Sequence, residues 1–112
     1  MRSKWKVDDY RGSQGARPVK EFLDGLSAPA KAKVYAALTM LEAEGNRLRF
    51  PKSRPLGGGL FELRVGHPEG PFRIIYCFEP GQRVVLLHAF VKRTERIVVE
   101  DLGLARARKA GL

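Results

Sequence analysis

Three apolar runs, LFELRV (Leu60–Val65), FRIIYCFE (Phe72–Glu79) and RVVLLHAFVKR (Arg83–Arg93), are separated only by GHPEGP and PGQ. Connections this short, rich in Gly and Pro, cannot carry a crossover helix. Consecutive strands must therefore reverse and pair side by side, as an antiparallel meander. Alternation along the second run puts Phe72, Ile74, Tyr76 and Phe78 on one face and Arg73, with Ile75 and Cys77, on the other. The third run is apolar on both faces, which predicts a central strand covered on each side.

The segment upstream supplies the cover. Pro18 suits a first helical position, and Val19, Phe22, Leu23 and Leu26 follow at helical spacing. Ser27 is a good N-cap with Pro29 close behind, and Val34, Leu38 and Leu41 repeat on one face of a second helix, with Ala30, Ala37 and Met40 on or near it. Gly45 ends that helix. Before the hairpin, KWKVDDY (Lys4–Tyr10) alternates as a short edge strand. Pro51–Gly59 reads as a loop. Its triple glycine lacks the lysine and strand–helix context of a phosphate loop and is taken as a hinge. A last helix is expected from about Ile97 to Ala110, with Leu102, Ala105 and Arg106 in step and Gly111 as its stop. The expectation is one α+β domain over residues 1–112: a helical hairpin packed on a twisted antiparallel sheet of three to four strands, plus a C-terminal helix.

Several classes are set aside at this stage. No apolar run reaches the roughly 18 residues that a membrane helix needs. The N-terminus has cations but no apolar signal core. The single cysteine, Cys77, allows neither an internal disulfide nor a Cys-based zinc site, and fits a reduced, cytoplasmic setting. With two scattered histidines, no metal or cofactor is expected. The charge is informative. The chain carries +9, and it is uneven: residues 1–46 hold eight Lys/Arg against six Asp/Glu, residues 47–112 thirteen against six. A basic half is the footprint of a protein that meets polyphosphate.

The meander gathers that charge. Its first and third strands run in the same direction, so their ends, at Arg64 and at Lys92-Arg93, lie at one sheet edge with the start of the middle strand, at Arg73. Arg96 follows three residues on. Clustered guanidinium groups bind phosphate through paired donors. They can equally stabilise a phosphorane while a base takes the proton of RNA's own 2′-hydroxyl, and a lysine among cations has its pKa lowered toward that role. A plainer reading makes Arg64 and Arg73 solvated residues or partners of Glu62 and Glu79. Likewise, His88 is either a satisfied core histidine or a catalyst. Tyr76 faces the core side, and His67 sits in an exposed turn.

The segments GSQGARPVKEFLDGL, PKSRPLGGGLFELR, FRIIYCF, VVLLHAFVKRTER and EDLGLARAR, in this order, resemble the RelE/HigB superfamily of toxins from type II toxin–antitoxin pairs, and most of all its phage-derived HigB-like branch. The resemblance spans nearly the whole chain. It implies a RelE-like fold and a metal-independent endoribonuclease that cuts mRNA in the ribosomal decoding site. It also implies a cognate helix-turn-helix, HigA-like antitoxin as partner. It places the family's arginine on Arg73, the basic pair on Lys92 and Arg93, and the basic loop on Lys52 and Arg54. The residues expected to bind RNA phosphate are Lys52 and Arg54 together with Arg64 and Arg96 of the gathered strand ends. Where RelE carries lysines in the first meander strand, this chain has Leu60 and Glu62, and near RelE's C-terminal tyrosine it has about Val99. The general base and acid are thus not carried over; Lys52, Lys92 and His88 are the candidates. The rival expectation is a non-catalytic module that binds RNA, the ribosome or an antitoxin.

Overall fold

The structure, a computed structural model, describes residues 4–96 and 99–112. Its elements, in chain order, are β1 (Lys6–Asp9), α1 (Pro18–Asp24), α2 (Ala28–Glu44), β2 (Ser53–Gly57), β3 (Leu60–Val65), β4 (Phe72–Glu79), β5 (Arg83–Val91) and α3 (Val99–Ala110). The expected start of the last helix at Ile97 lies outside the described residues.

The meander forms as its short turns require: β3, β4 and β5 pair antiparallel. Two strands extend it to five, in the order β1-β5-β4-β3-β2. β1 lies parallel to β5, with Lys6 opposite Arg83 and Asp9 opposite Leu86, so the sheet is mixed rather than wholly antiparallel. β2 comes from the segment read as a loop. It pairs antiparallel with β3, and Pro55 is tolerated because β2 is an edge strand. The triple glycine is not a hinge but the tight turn between these strands: Gly57, Gly58 and Gly59 all have positive φ, where side chains are strained. β5, expected to be central, is an interior strand beside β4.

The helical pair covers one face. Ser27 Oγ accepts from the Ala30 amide, which caps α2, and the apolar spacing then buries Ala30, Val34, Leu38 and Leu41. With Val19 and Leu23 of α1, they pack on Leu63, Phe72, Ile74, Tyr76, Val84 and Leu86. Each large side chain fully buried here contributes about 1.5–3 kcal/mol. Met40, placed near that face by its spacing, is exposed. The opposite face has a smaller core: Leu60, Ile75, Cys77, Val85 and Leu87 sit beneath Ala105 and Leu102 of α3. This core covers only part of the face.

A register shift divides that face. Opposite β4, Tyr76 pairs with Leu86 but Ile75 pairs with His88, so Leu87 is an extra residue in β5. Without the bulge, alternation would turn His88 toward the helical pair. With it, His88 and Phe90 lie opposite Ile75 and Arg73, on the α3 face.

Gly45 closes α2 at φ +53° and ψ −125°, and Trp5 packs directly over it. The Trp5 amide also donates to Glu42 O at 2.8 Å, and its ring meets Phe78 edge-on, so this contact ties the N-terminal strand to the main core. A Cβ at residue 45 would overlap the indole. Gly45→Ala should therefore cost about 2–4 kcal/mol, from backbone strain and overpacking together. It should appear in urea denaturation as a lower midpoint with an unchanged slope.

Candidate phosphate-binding site

The end of the α3 face that α3 leaves open is built around a carboxylate. On β3, Glu62 and Arg64 are two apart and share this face. Pairing sets Arg54 of β2 opposite Glu62, and Arg73 of β4 opposite Arg64. Glu62 is fully buried. Its Oε1 accepts from Arg54 Nε at 2.8 Å, and lies 3.8 Å from both Arg64 Nε and Arg73 Nε. Burying a lone carboxylate there would cost several kcal/mol, and the three guanidinium groups offset that cost. The carboxylate in turn permits three like charges to converge.

The pairing is incomplete. Glu62 Oε2, Arg64 Nε and Arg73 Nε are buried and make no hydrogen bond among the described residues. Arg73 itself is 7% exposed, with Nη1 donating to Phe72 O at 3.0 Å. Burial lowers its pKa, Glu62 opposes this, and Arg64 and Arg54 add to the lowering. An arginine nonetheless stays protonated. Arg64 and Arg73 face each other across the β3–β4 pair with Nε donors that Glu62, 3.8 Å away, does not hydrogen-bond, and paired guanidinium groups of this kind suit a phosphate oxygen.

Lys92 joins this group. Its amide donates to Pro71 O at 2.8 Å, which carries the β4–β5 pairing one step past Val91. Burial lowers the Lys92 pKa; Glu62 acts against this, while Arg73, Arg54 and Arg64 reinforce it. Arg93 and Arg96 are exposed and make no ion pair with Glu62; with Phe90, Lys92 and Asp101 they border a cavity of about 180 Å³. Lys52 makes no ion pair with Glu62 but adjoins the cluster: its carbonyl oxygen accepts from the Arg64 amide at 2.9 Å, and it borders a cavity between α2 and β3 that Arg64, Lys33 and Met40 also line.

His88 faces the site side but is engaged. Its Nε2 lies 2.6 Å from Asp101 Oδ1, and Arg108 Nη1 stands 3.4 Å from Nδ1 while donating to Leu87 O at 2.8 Å. A carboxylate at one ring nitrogen and a guanidinium donor at the other select the neutral tautomer protonated on Nε2. Both nitrogens are thereby occupied, and the ring stacks on Phe90 at 5.3 Å between centroids. His88 fastens α3 to β5. Tyr76 lies in the core as its face required, hydrogen-bonded to Ser53, and burial raises its pKa. His67 stacks on Phe72 at 5.9 Å rather than standing free.

Sequence reading placed Arg64, Arg73, Lys92 and Arg93 at one sheet edge and left Arg54 in a basic loop; the structure puts Arg54 in the cluster and Arg93 outside it. Glu62 was weighed only as an incidental partner. The signal for its larger part was present: Glu62 shares the period-two face with Arg64. Asp101 and Arg108 were missed. Their spacing of seven residues, two helical turns, was the available sign that both face β5.

A double-mutant cycle tests the cluster. Glu62→Leu should cost about 3–5 kcal/mol, because it strands buried guanidinium groups. Combined with Arg73→Met, the loss should be smaller than the sum of the two single losses by at least about 1 kcal/mol, measured by urea unfolding.

Comparisons with known proteins agree with this architecture. Residues 21–110 match the family described as phage derived protein Gp49-like (DUF891). Among solved structures, the chain is similar to one chain of the crystal structure of the archaeal RelE–RelB complex from Pyrococcus horikoshii OT3. The TM-score is 0.56 at 20% identity, covering 81% of this chain and 99% of that one. No curated protein matches the chain. Twenty per cent identity speaks to fold alone, whereas the family match spans most of the sequence. The chain belongs to the phage-derived Gp49-like family and has a RelE-like α+β fold.

Proposed function

We propose that this protein is the toxin of a type II toxin–antitoxin pair and an endoribonuclease that cleaves mRNA on the ribosome. The observation that carries the reading is the convergence of Arg54, Arg64, Arg73 and Lys92 around one buried carboxylate, with Nε donors on Arg64 and Arg73 that make no hydrogen bond. The RelE-like fold and the family support it.

The chemistry follows from the donor set. Arg64 and Arg73 bind the scissile phosphate and stabilise the charge that builds on it. Lys92 is the general base, since its lowered pKa makes the neutral amine more accessible than in an ordinary lysine. It takes the 2′-hydroxyl proton, the 2′-oxygen attacks phosphorus, and the bond to the 5′-oxygen breaks, with that oxygen taking a proton from water. The products are a 2′,3′-cyclic phosphate and a 5′-hydroxyl end. Glu62 is enclosed by guanidinium groups, surroundings that repel a divalent cation, so the mechanism is written with protein groups alone. Arg93, Arg96 and Lys52 lie outside the cluster and serve the wider contact with ribosomal and messenger RNA. His88 holds a positioning role through Asp101. The partner is a helix-turn-helix antitoxin of the HigA-like kind; the similar archaeal structure is of a RelE–RelB complex.

One observation favours the rival reading, a non-catalytic RNA-binding module: both ring nitrogens of His88 are occupied. The rival gives salt-sensitive RNA binding with no strand scission.

Induced expression in a bacterial host should arrest growth and create new mRNA 5′ ends within minutes. Arg73→Ala should abolish both while the purified variant keeps its circular dichroism spectrum; loss of one such phosphate donor costs about 100- to 1,000-fold in rate. Equal toxicity of the variant would remove Arg73 from the site. With programmed ribosomes, the cleavage rate should rise with pH as Lys92 loses its proton, reaching its plateau below the ordinary lysine range. Lys92→Met should be slow and flat across the same range.

A further inference from the structure

Next to the cluster stands an aromatic ring that the fold leaves in water. Phe50 is 70% exposed, at a cost of about 1.5–3 kcal/mol relative to burial. The ring is nevertheless held. The Arg64 guanidinium carbon lies 5.0 Å from its centroid, and Arg64 Nη1 donates to Pro51 O at 3.4 Å, one residue on. The preceding turn is tied down as well: Arg49 Nη1 donates to Asn46 O at 2.6 Å and Leu48 O at 3.2 Å. A cavity of about 370 Å³ opens beside the ring at the β2 edge of the sheet, reaching from Phe61 on the helical-pair side past Phe50 and Arg49 to Arg54 on the cluster's side. That lies within the size range of small-ligand sites, about 300–1,000 Å³.

We infer that Phe50 and this cavity form a nucleobase-stacking subsite for single-stranded RNA, joined to the phosphate cluster through Arg64. The inference rests on the RNA-binding reading above and names where the neighbouring nucleotide goes. Arg64 touches both parts, the Phe50 ring on one side and Glu62 on the other, so one nucleotide spans them with its phosphate at Arg64 and Arg73 and its base on Phe50. An exposed ring set among cations is the arrangement single-stranded nucleic acids use, because every base offers a π-face beside a negative phosphate. The charged groups around the ring are Arg49, Arg54 and Arg64, and the nearby carboxylate, Glu62, is buried beneath Arg54. An apolar protein partner would offer no negative charge to Arg49, Arg54 and Arg64. Stacking needs no hydrogen-bond match, so the subsite accepts any base and favours purines by area.

The test is equilibrium binding of a short single-stranded RNA that carries 2-aminopurine and a 2′-deoxy block against cleavage. Phe50→Leu should weaken binding about tenfold or more and abolish the fluorescence quenching that stacking causes, while Phe50→Tyr keeps both. The slope of log K against log salt should be unchanged in Phe50→Leu and shallower in Arg73→Ala, since only the second loses a phosphate contact. An abasic nucleotide at the quenched position should weaken wild-type binding by the same factor and leave Phe50→Leu unaffected. If Phe50→Leu binds as wild type does while Arg73→Ala is weakened, the stacking subsite is wrong and the phosphate site stands. If the wild type binds no RNA, both readings fall together. If Phe50→Leu instead loses only an acidic protein partner, the ring is a protein-docking residue and the inference is overturned.

Discussion

The site depends on one buried carboxylate. Glu62 lies on a strand that is otherwise apolar or cationic on this face, and desolvating it would be prohibitive without partners. Arg54, Arg64 and Arg73 come from three adjacent strands and meet it because strand pairing puts them there. Each charge makes the others tolerable, so the cluster forms as a unit. The net result is positive, since three guanidinium groups and the nearby Lys92 surround one carboxylate. That surplus, held rigidly and only partly hydrogen-bonded, is the form a phosphate site takes.

The second constraint is how the sheet's two faces are shared out. α1 and α2 need one whole face for their apolar stripe. α3 covers only part of the other, through Ala105 and Leu102, and is fixed by Asp101 and Arg108 closing on His88 and Leu87. The remaining end carries Arg54, Arg64 and Lys92, each partly exposed, around the buried Glu62 and Arg73. The Leu87 bulge decides which residues belong to that face. By resetting alternation, it moves His88 from the main core to the α3 side, and with it the anchor that seats α3.

Much of this was legible in the sequence, for reasons that can be named. Short Gly-Pro connections force a meander, and period-two alternation then assigns Arg73 to the face away from Phe72, Ile74 and Tyr76. The same topology brings Arg64, Arg73 and Lys92 to one edge. Ser27, Pro29 and Gly45 marked the bounds of α2 through capping chemistry. What was not legible depended on pairing between distant segments. β2 carries a proline and ends in three glycines, so its local propensity argues for a loop, and only the open edge of β3 makes it a strand. The parallel docking of β1 on β5 leaves no local trace. The bulge at Leu87 has no glycine to announce it, so the sequence left His88 with two readings. Arg93 and Arg96 follow the strand end in sequence, yet the chain turns away from Glu62 after Lys92.

The most direct test is a crystal structure with a cleavage-blocked RNA dinucleotide, its attacking 2′-hydroxyl replaced by hydrogen. This account predicts the phosphate between Arg64 and Arg73, hydrogen-bonded to both guanidinium groups, with Lys92 Nζ near the blocked 2′ position and Glu62 still beneath. A phosphate bound elsewhere, at Lys52 or at Arg93 and Arg96, with Arg64 and Arg73 untouched, would contradict it.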